Sequence, residues 1–301
     1  MQVPKRKNAA RGAKGKTPDA KPTATARETP ARKTPARASR GGRGPVAPAE
    51  LVVVDVGNSE TVVGRMRGRQ VLRAWRLTSG RMTADEVALQ LHTLLDRNGA
   101  RGTKLGAVLC SVAPSLTLAW VAALAEVTGQ PPIEVNATTA KSLPIRYHDR
   151  TAVGADRIAN AVAARGLYGT PAIVVDLGTA TTFDCVSQQG AYLGGTIAPG
   201  VITSSEELFR RAARLPRVEL RKPTRALGRT TEESLQAGVI WGHAGQVDAL
   251  VRRIALEMKG TPHVIATGGY ARLIAPECET INRVDEALTL KGMRIVWEAN
   301  R

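Results

Sequence analysis

Aromatic side chains are scarce in this chain. Phe, Trp and Tyr make up 3% of 301 residues, so a core must rest on Val, Leu, Ile and Ala, within an apolar content of 43%. Cysteine is rarer still. Cys110, Cys185 and Cys278 are odd in number, far apart and form no Cys-x-x-Cys pair, which argues against a disulfide framework or a zinc site. A reducing cytoplasm is the compartment this implies. His92, His148, His243 and His263 lack metal-ligand spacing. No run approaches the roughly 18 consecutive apolar residues of a membrane helix. The N-terminus has basic residues but no apolar stretch behind them, so a secretory signal is not expected.

Acidic residues are nearly missing from the first fifty positions. That stretch holds 13 Lys or Arg against Asp19, Glu28 and Glu50, a net +10 of the chain's +17. It is rich in Pro, Ala, Thr and Gly and echoes Thr29-Pro30-Ala31-Arg32 as Thr34-Pro35-Ala36-Arg37. With almost no large apolar residues it cannot offset its chain entropy, and residues 1–49 are expected to be a disordered basic tail. Three readings stay open for it. It is a solvated tail without a dedicated partner, a weak contact for nucleic acid or another polyanion, or a transit peptide, against which its single serine, Ser39, counts.

What remains is long enough for two modest domains, expected at 50–169 and 170–301. The central feature is a repeat. The apolar run 51–54 ends in Asp55-Val56-Gly57-Asn58-Ser59, and about 120 residues later the run 172–175 ends in Asp176-Leu177-Gly178-Thr179-Ala180-Thr181-Thr182. Each is a β-branched strand ending in Asp-x-Gly, followed by small hydroxyl or amide residues. Alternation and turn residues predict strands at 51–56, 61–66, 70–77, 106–112 and 133–136, then 173–176, 181–186, 191–197 and 263–267. Helical spacing predicts helices at 83–97, 116–127 and 156–168, then 203–213, 231–257 and 286–299. Thr83 with Glu86 three residues on has the pattern of a capping box. Three strands followed by βα units, twice over, describe a duplicated α/β ribonuclease-H-like fold of the actin-like ATPase kind, with a nucleotide cleft between the copies.

Five elements carry chemistry. In the first loop Gly57 lets backbone N–H groups converge on an anion, and Asn58 and Ser59 add side-chain donors. Asp55, itself anionic, is expected to meet a Mg²⁺ hydration shell rather than a phosphate. The second loop repeats this with hydroxyls, Thr179 donating to a phosphate and Asp176 holding a cation. Either loop alone also reads as an ordinary β-turn. In Gly154-Ala155-Asp156-Arg157, Asp156 stands at a helix N-terminus that favours its ionised form, suited to accepting a proton from an alcohol. Arg157 offers a planar fork for a carboxylate or phosphate. A plain N-cap followed by a surface Arg fits the same four residues. Gly194-Gly195-Thr196-Ile197-Ala198-Pro199-Gly200 suggests a close backbone approach or a hairpin. Val264-Ile265-Ala266-Thr267-Gly268-Gly269 suggests backbone laid against an adenine or ribose, or a strand-to-helix turn.

In this order and spacing, from residue 51 to residue 301, the five elements resemble the type III pantothenate kinases, the Bvg accessory factor family of the actin-like ATPase superfamily. Ser111-Val112-Ala113-Pro114-Ser115-Leu116-Thr117, Leu215-Pro216-Arg217-Val218-Glu219-Leu220 and Thr231-Glu232-Glu233-Ser234-Leu235-Gln236-Ala237-Gly238 add to the resemblance. It implies transfer of a phosphoryl group from ATP to pantothenate in coenzyme A synthesis. Asp55, Val56, Gly57, Asn58, Ser59, Glu60, Thr61 and Val62 would form the ATP phosphate loop, and Thr179 would touch ATP. Gly154, Ala155, Asp156 and Arg157 would contact pantothenate, with Asp156 as proton acceptor, and Tyr147 and Thr231 would join them. Asp176 would bind the monovalent cation, K⁺ or NH₄⁺. The resemblance also implies a homodimer with the pocket at the subunit interface. Ser59 replaces a common Thr, and Glu60 adds a charge that would weaken ATP binding if it pointed inward.

Two other readings are carried forward. A ribonuclease-H-like nuclease would use Asp55, Asp156 and Asp176 as a metal-binding cluster, although it needs no cradle for a γ-phosphate. A non-catalytic nucleotide-binding regulator would keep the fold, although Asp156 and Arg157 would then have no task.

Overall fold

The computed structural model describes residues 50–99 and 102–301; the expected basic tail, 1–49, lies outside the described residues. The chain runs β1 (Glu50–Val56), β2 (Glu60–Arg67), β3 (Gln70–Thr78), α1 (Ala84–Asp96), β4 (Leu105–Ser111), α2 (Pro114–Thr128), β5 (Ile133–Glu134) and α3 (Ala155–Leu167). It continues with β6 (Ala172–Leu177), β7 (Ala180–Val186), β8 (Tyr192–Pro199), α4 (Val201–Arg211), α5 (Thr231–Glu257), β9 (His263–Thr267), α6 (Ala271–Ile274), β10 (Arg283–Val284) and α7 (Leu288–Glu298).

These strands make two five-stranded sheets of one plan. The first has the order β3-β2-β1-β4-β5 and the second β8-β7-β6-β9-β10. In each, the first strand pairs antiparallel with the second and parallel with the fourth. This is the duplicated ribonuclease-H-like architecture expected from the repeat. Among the described residues no helix is long and apolar enough to cross a membrane.

Strand alternation decides where the two aspartates go. Successive side chains point to opposite faces of a sheet. On β1, Val52, Val54 and Val56 pack against Leu91 of α1 and Trp120 of α2, while Leu51 and Val53 face the other way. Asp55 shares the Leu51 face. On β6, Ile173, Val175 and Leu177 pack with α5 residues such as Ile240, while Ala172 and Val174 join the cluster that holds Leu51 and Val53. Asp176 shares that second face. Period two therefore aims both carboxylates towards the space between the sheets. A one-residue register slip would reverse both.

Two helices fill that space and exchange partners. α3 precedes the second sheet in sequence yet packs on β6 and β7, while α7, at the C-terminal end, packs on β1 and β4. α3 also meets β4, so it lies against both sheets. α3 and α7 lie against each other at short range. A Cβ on Gly292 would stand 1.9 Å from the Ala159 carbonyl oxygen, so only glycine permits this crossing.

Observed elements depart from expectation mainly at their ends. α2 begins at Pro114 rather than 116, with proline in the first turn, where its missing N–H costs nothing. α4 starts at Val201 rather than 203, directly after Gly200. α7 starts at Leu288 because Asp285 shapes the preceding turn, accepting from Ala287 N at 3.2 Å and from Lys291 Nζ. The capping box at Thr83 and Glu86 is formed in both directions. α6 and β10 were not expected; each is too short to display a period.

Candidate active site

A cleft of about 590 Å³ opens between the sheets. Its lining includes Asp55, Gly57, Asn58, Ser59, Glu60 and Val62 from the first repeat, and Asp176, Gly178 and Thr179 from the second. Asp156 of α3 reaches it from between them, and Thr267, Gly268 and Gly269 after β9 close one side.

The two loops touch. Thr179 Oγ1 donates to Ser59 Oγ at 3.1 Å. Each loop is also tied from its own side. Ser79 Oγ donates to the Gly57 carbonyl at 2.7 Å, and Ser79 N to the Ser59 carbonyl at 3.1 Å. Thr203 Oγ1 donates to the Thr179 carbonyl at 2.6 Å. Thr61 is buried, its hydroxyl 2.8 Å from that of Ser79. Val56 is buried too, and its carbonyl accepts from Val112 N. Glu60 does line the cleft, but it is ion-paired with Arg76, which offsets its charge.

Three carboxylates face one another here. Burial is the first cause that lifts Asp55 to about 7, with the charges of Asp156 and Asp176 adding to it. Burial also lifts Asp176, to about 6, opposed by the 2.9 Å hydrogen bond that Asn160 Nδ2 donates to its Oδ2. Asn160 is in turn fixed by Thr289 Oγ1, which donates to its Oδ1 at 2.8 Å. Gly268, at φ +93°, backs Asp176 so closely that a Cβ would stand 2.5 Å from Oδ1.

Asp156 corrects one expectation. The helix end was expected to hold its carboxyl ionised. Arg157 N does donate to its Oδ1 at 2.7 Å, but burial outweighs this and raises the pKa. Gly154, the N-cap, makes room for it, since a Cβ there would stand 2.6 Å from the same oxygen.

The other expected substrate contacts stand outside the cleft lining. Gly154 and Ala155 form the start of α3. Arg157 turns towards β7 and β8, where Nε donates to Asp184 Oδ1 at 2.7 Å and Nη2 to the Phe183 carbonyl at 3.1 Å. Tyr147 is 40% exposed, with its ring 6.3 Å from that of Tyr192. Thr231 opens α5 and is exposed.

Sequence reading missed Asn160, Arg76, Ser79, Asp184 and Thr289. Asn160 lies four residues after Asp156 on the same helix face, so helical spacing was a signal for it. The others reach the site through tertiary packing and left no local pattern. Among the described residues, no group of three or more His, Cys, Asp or Glu is gathered closely enough to hold a metal by itself.

Comparison with known proteins shows the family. A family model described as type III pantothenate kinase matches residues 51–253. A type III pantothenate kinase of Moorella thermoacetica is 46% identical over 252 residues, covering 83% of this chain and 99% of that protein. One from Pelobacter propionicus is 45% identical over 253 residues, covering 83% and 100%. Among solved structures, a conserved Baf family protein from Campylobacter jejuni superposes with a TM-score of 0.53 at 19% identity, over 83% of this chain and 98% of that one. At that identity the likeness is one of fold.

Proposed function

The chain belongs to the type III pantothenate kinase family and is an ATP-dependent pantothenate kinase, and we propose that its two Asp-x-Gly loops hold the phosphates of ATP while the first turn of α3 receives the acceptor. The reaction transfers the γ-phosphoryl group of ATP to the primary hydroxyl of pantothenate, giving 4′-phosphopantothenate for coenzyme A synthesis. The observation that carries the residue assignment is that Asp55, Asp156 and Asp176 share one cleft with the joined loops.

The hydroxyl oxygen of pantothenate attacks the γ-phosphorus, the bond from that phosphorus to the β-bridging oxygen breaks, and ADP leaves. Asp156 takes the hydroxyl proton. Its Oδ1 is held by the backbone N–H of Arg157, which leaves Oδ2 for the alcohol. A carboxylate raised by burial is a better proton acceptor than a free one. The loose transition state of phosphoryl transfer asks little of a base, so positioning and charge supply most of the rate. In the loops, backbone N–H groups around Gly57 and Gly178, with Asn58, Ser59 and Thr179, bind and orient the phosphates.

The residues fit cations. Burial lifts Asp55 to about 7 and Asp176 to about 6, so both carboxylates gain from positive charge beside them, Asp55 more than Asp176. When bound, Mg²⁺ near Asp55 and K⁺ or NH₄⁺ near Asp176 would supply that charge and offset the phosphates. The free edge of Arg157 takes the carboxylate of pantothenate. Tyr147 and Thr231, both outside the cleft lining, complete the pocket in a homodimer. A cytoplasmic site of action belongs to the same proposal.

A coupled assay of ADP release tests this. Release should depend on pantothenate and rise with K⁺ over Na⁺. ADP formed at the same rate without pantothenate would favour a nucleotide-binding regulator with idle hydrolysis.

A further inference from the structure

We propose that Asp184, buried in β7, is a positioning residue that holds the Arg157 guanidinium in the one orientation able to receive the carboxylate of pantothenate. This rests on the reading of Arg157 given above. Asp184 is fully buried. Its Oδ1 accepts from Arg157 Nε at 2.7 Å and from the Tyr192 hydroxyl at 3.1 Å. Arg157 Nη2 is fixed by the Phe183 carbonyl. Two edges of the guanidinium are thus occupied, and Nη1 makes no hydrogen bond among the described residues. Pantothenate has polar groups at opposite ends, a primary hydroxyl and a carboxylate. With the hydroxyl at Asp156, a cation on the next residue, turned towards β8, is aimed along the acceptor rather than at the phosphates.

The pair is a poor structural device. Asp184 Oδ2 is buried without a partner. A buried ion pair is a weak contributor to stability even when every lone pair is satisfied, and well-packed apolar residues often replace one without loss. Burial lifts Asp184 to about 7 despite the Arg157 charge beside it. Keeping a costly carboxylate at this place is explained by what it does to Arg157. Tyr192 links the arrangement to Tyr147, whose ring lies 6.3 Å from its own, so Asp184 touches Arg157 directly and reaches Tyr147 through Tyr192.

The test compares two acceptors, pantothenate and its alcohol analogue, in which the carboxylate is replaced by a hydroxymethyl group. Asp184→Asn should lower kcat/KM for pantothenate by about tenfold or more, mainly through KM, the scale of one charge-assisted hydrogen bond. The analogue, with no carboxylate to place, should change by less than about threefold. Equal losses for both acceptors would make Asp184 merely structural and overturn the proposal. If wild-type enzyme shows no preference for pantothenate over the analogue, the Arg157 reading itself fails, and that outcome is separate.

A wild-type measurement guards against a variant that does not fold. Burial pushes the Asp184 carboxyl up, so the preference ratio should fall towards acid pH as Asp184 takes a proton, and a ratio that stays flat down to the pH at which the enzyme unfolds would overturn the proposal. The charged or titratable groups facing Asp184 are Asp156 and Arg157 of α3, Asp176 of β6 and Tyr192 of β8. Asp156 also acts on Arg157, so the same ratio is followed in Asp184→Asn, where it should lose its pH dependence.

Discussion

The loops after β1 and β6 share a backbone plan and differ in their neighbours. Asp55 and Asp176 end the first strand of matching sheets and face the same cleft. Burial is the first cause that lifts both; Asp176 receives a hydrogen bond from Asn160, itself braced by Thr289, and feels the charge of Asp156, whereas Asp55 feels both Asp156 and Asp176 with Cys110 as its donor. The result is about 6 for one and about 7 for the other. Duplicated strands supply duplicated positions, while charge state is decided by the side chains that tertiary packing brings alongside. On this account Asp176 ionises more readily within the protein, and Asp55 gains more from the positive charge that arrives with the nucleotide.

The largest effect is expected between the loops. Asp156→Asn should cut kcat by about 10³-fold, within the range for loss of a general base, with ATP affinity held within about threefold. Near-normal turnover in a steady-state assay would remove Asp156 from the base role and leave the loops to carry the chemistry alone. Next comes Asp55→Asn, expected to lower kcat/KM for ATP by about 10²-fold, the cost of losing a charged contact to the nucleotide's metal. The drop should shrink as Mg²⁺ is raised.

Asn160→Ala would sharpen the comparison by making Asp176 resemble Asp55. Without its donor the carboxyl pKa rises further. The acid is then protonated at higher pH, and the acidic limb of the rate profile moves upward from about 6. The loss should be about tenfold at pH 6.5 and mostly recovered at pH 8. A uniform loss across pH would mean that Asn160 acts through packing, which a thermal melt would reveal. Smallest is Ser59→Ala, which removes the hydroxyl joining the loops and should cost about threefold to tenfold in kcat/KM for ATP, the scale of one neutral hydrogen bond.

The layered plan was legible in the chain because it depends on local period. Apolar β-branched runs mark the strands at 51–56 and 172–177, and Asp-x-Gly marks both strand ends. Helix spacing likewise placed Asp156 on a first turn. The charge state of these groups was not legible. The helix-end argument left out the burial of Asp156, which raises its pKa and has no local signature. Glu60 looked like a threat to ATP binding until Arg76, sixteen residues away on the adjacent strand, paired with it. The exchange of α3 and α7 between sheets also left no pattern, since an apolar helix face does not say which sheet it covers.

The inequality of the loops is tested most directly by titrating two variants with two cations. Initial rates of pantothenate-dependent ADP release should be measured for Asp55→Asn and Asp176→Asn against K⁺ at saturating Mg²⁺, and against Mg²⁺ at saturating K⁺. Asp176→Asn should lose the K⁺ response and keep its Mg²⁺ midpoint within about threefold, while Asp55→Asn should keep the K⁺ response and shift its Mg²⁺ midpoint by about tenfold or more. Identical responses in the two variants would contradict the division of roles between the loops.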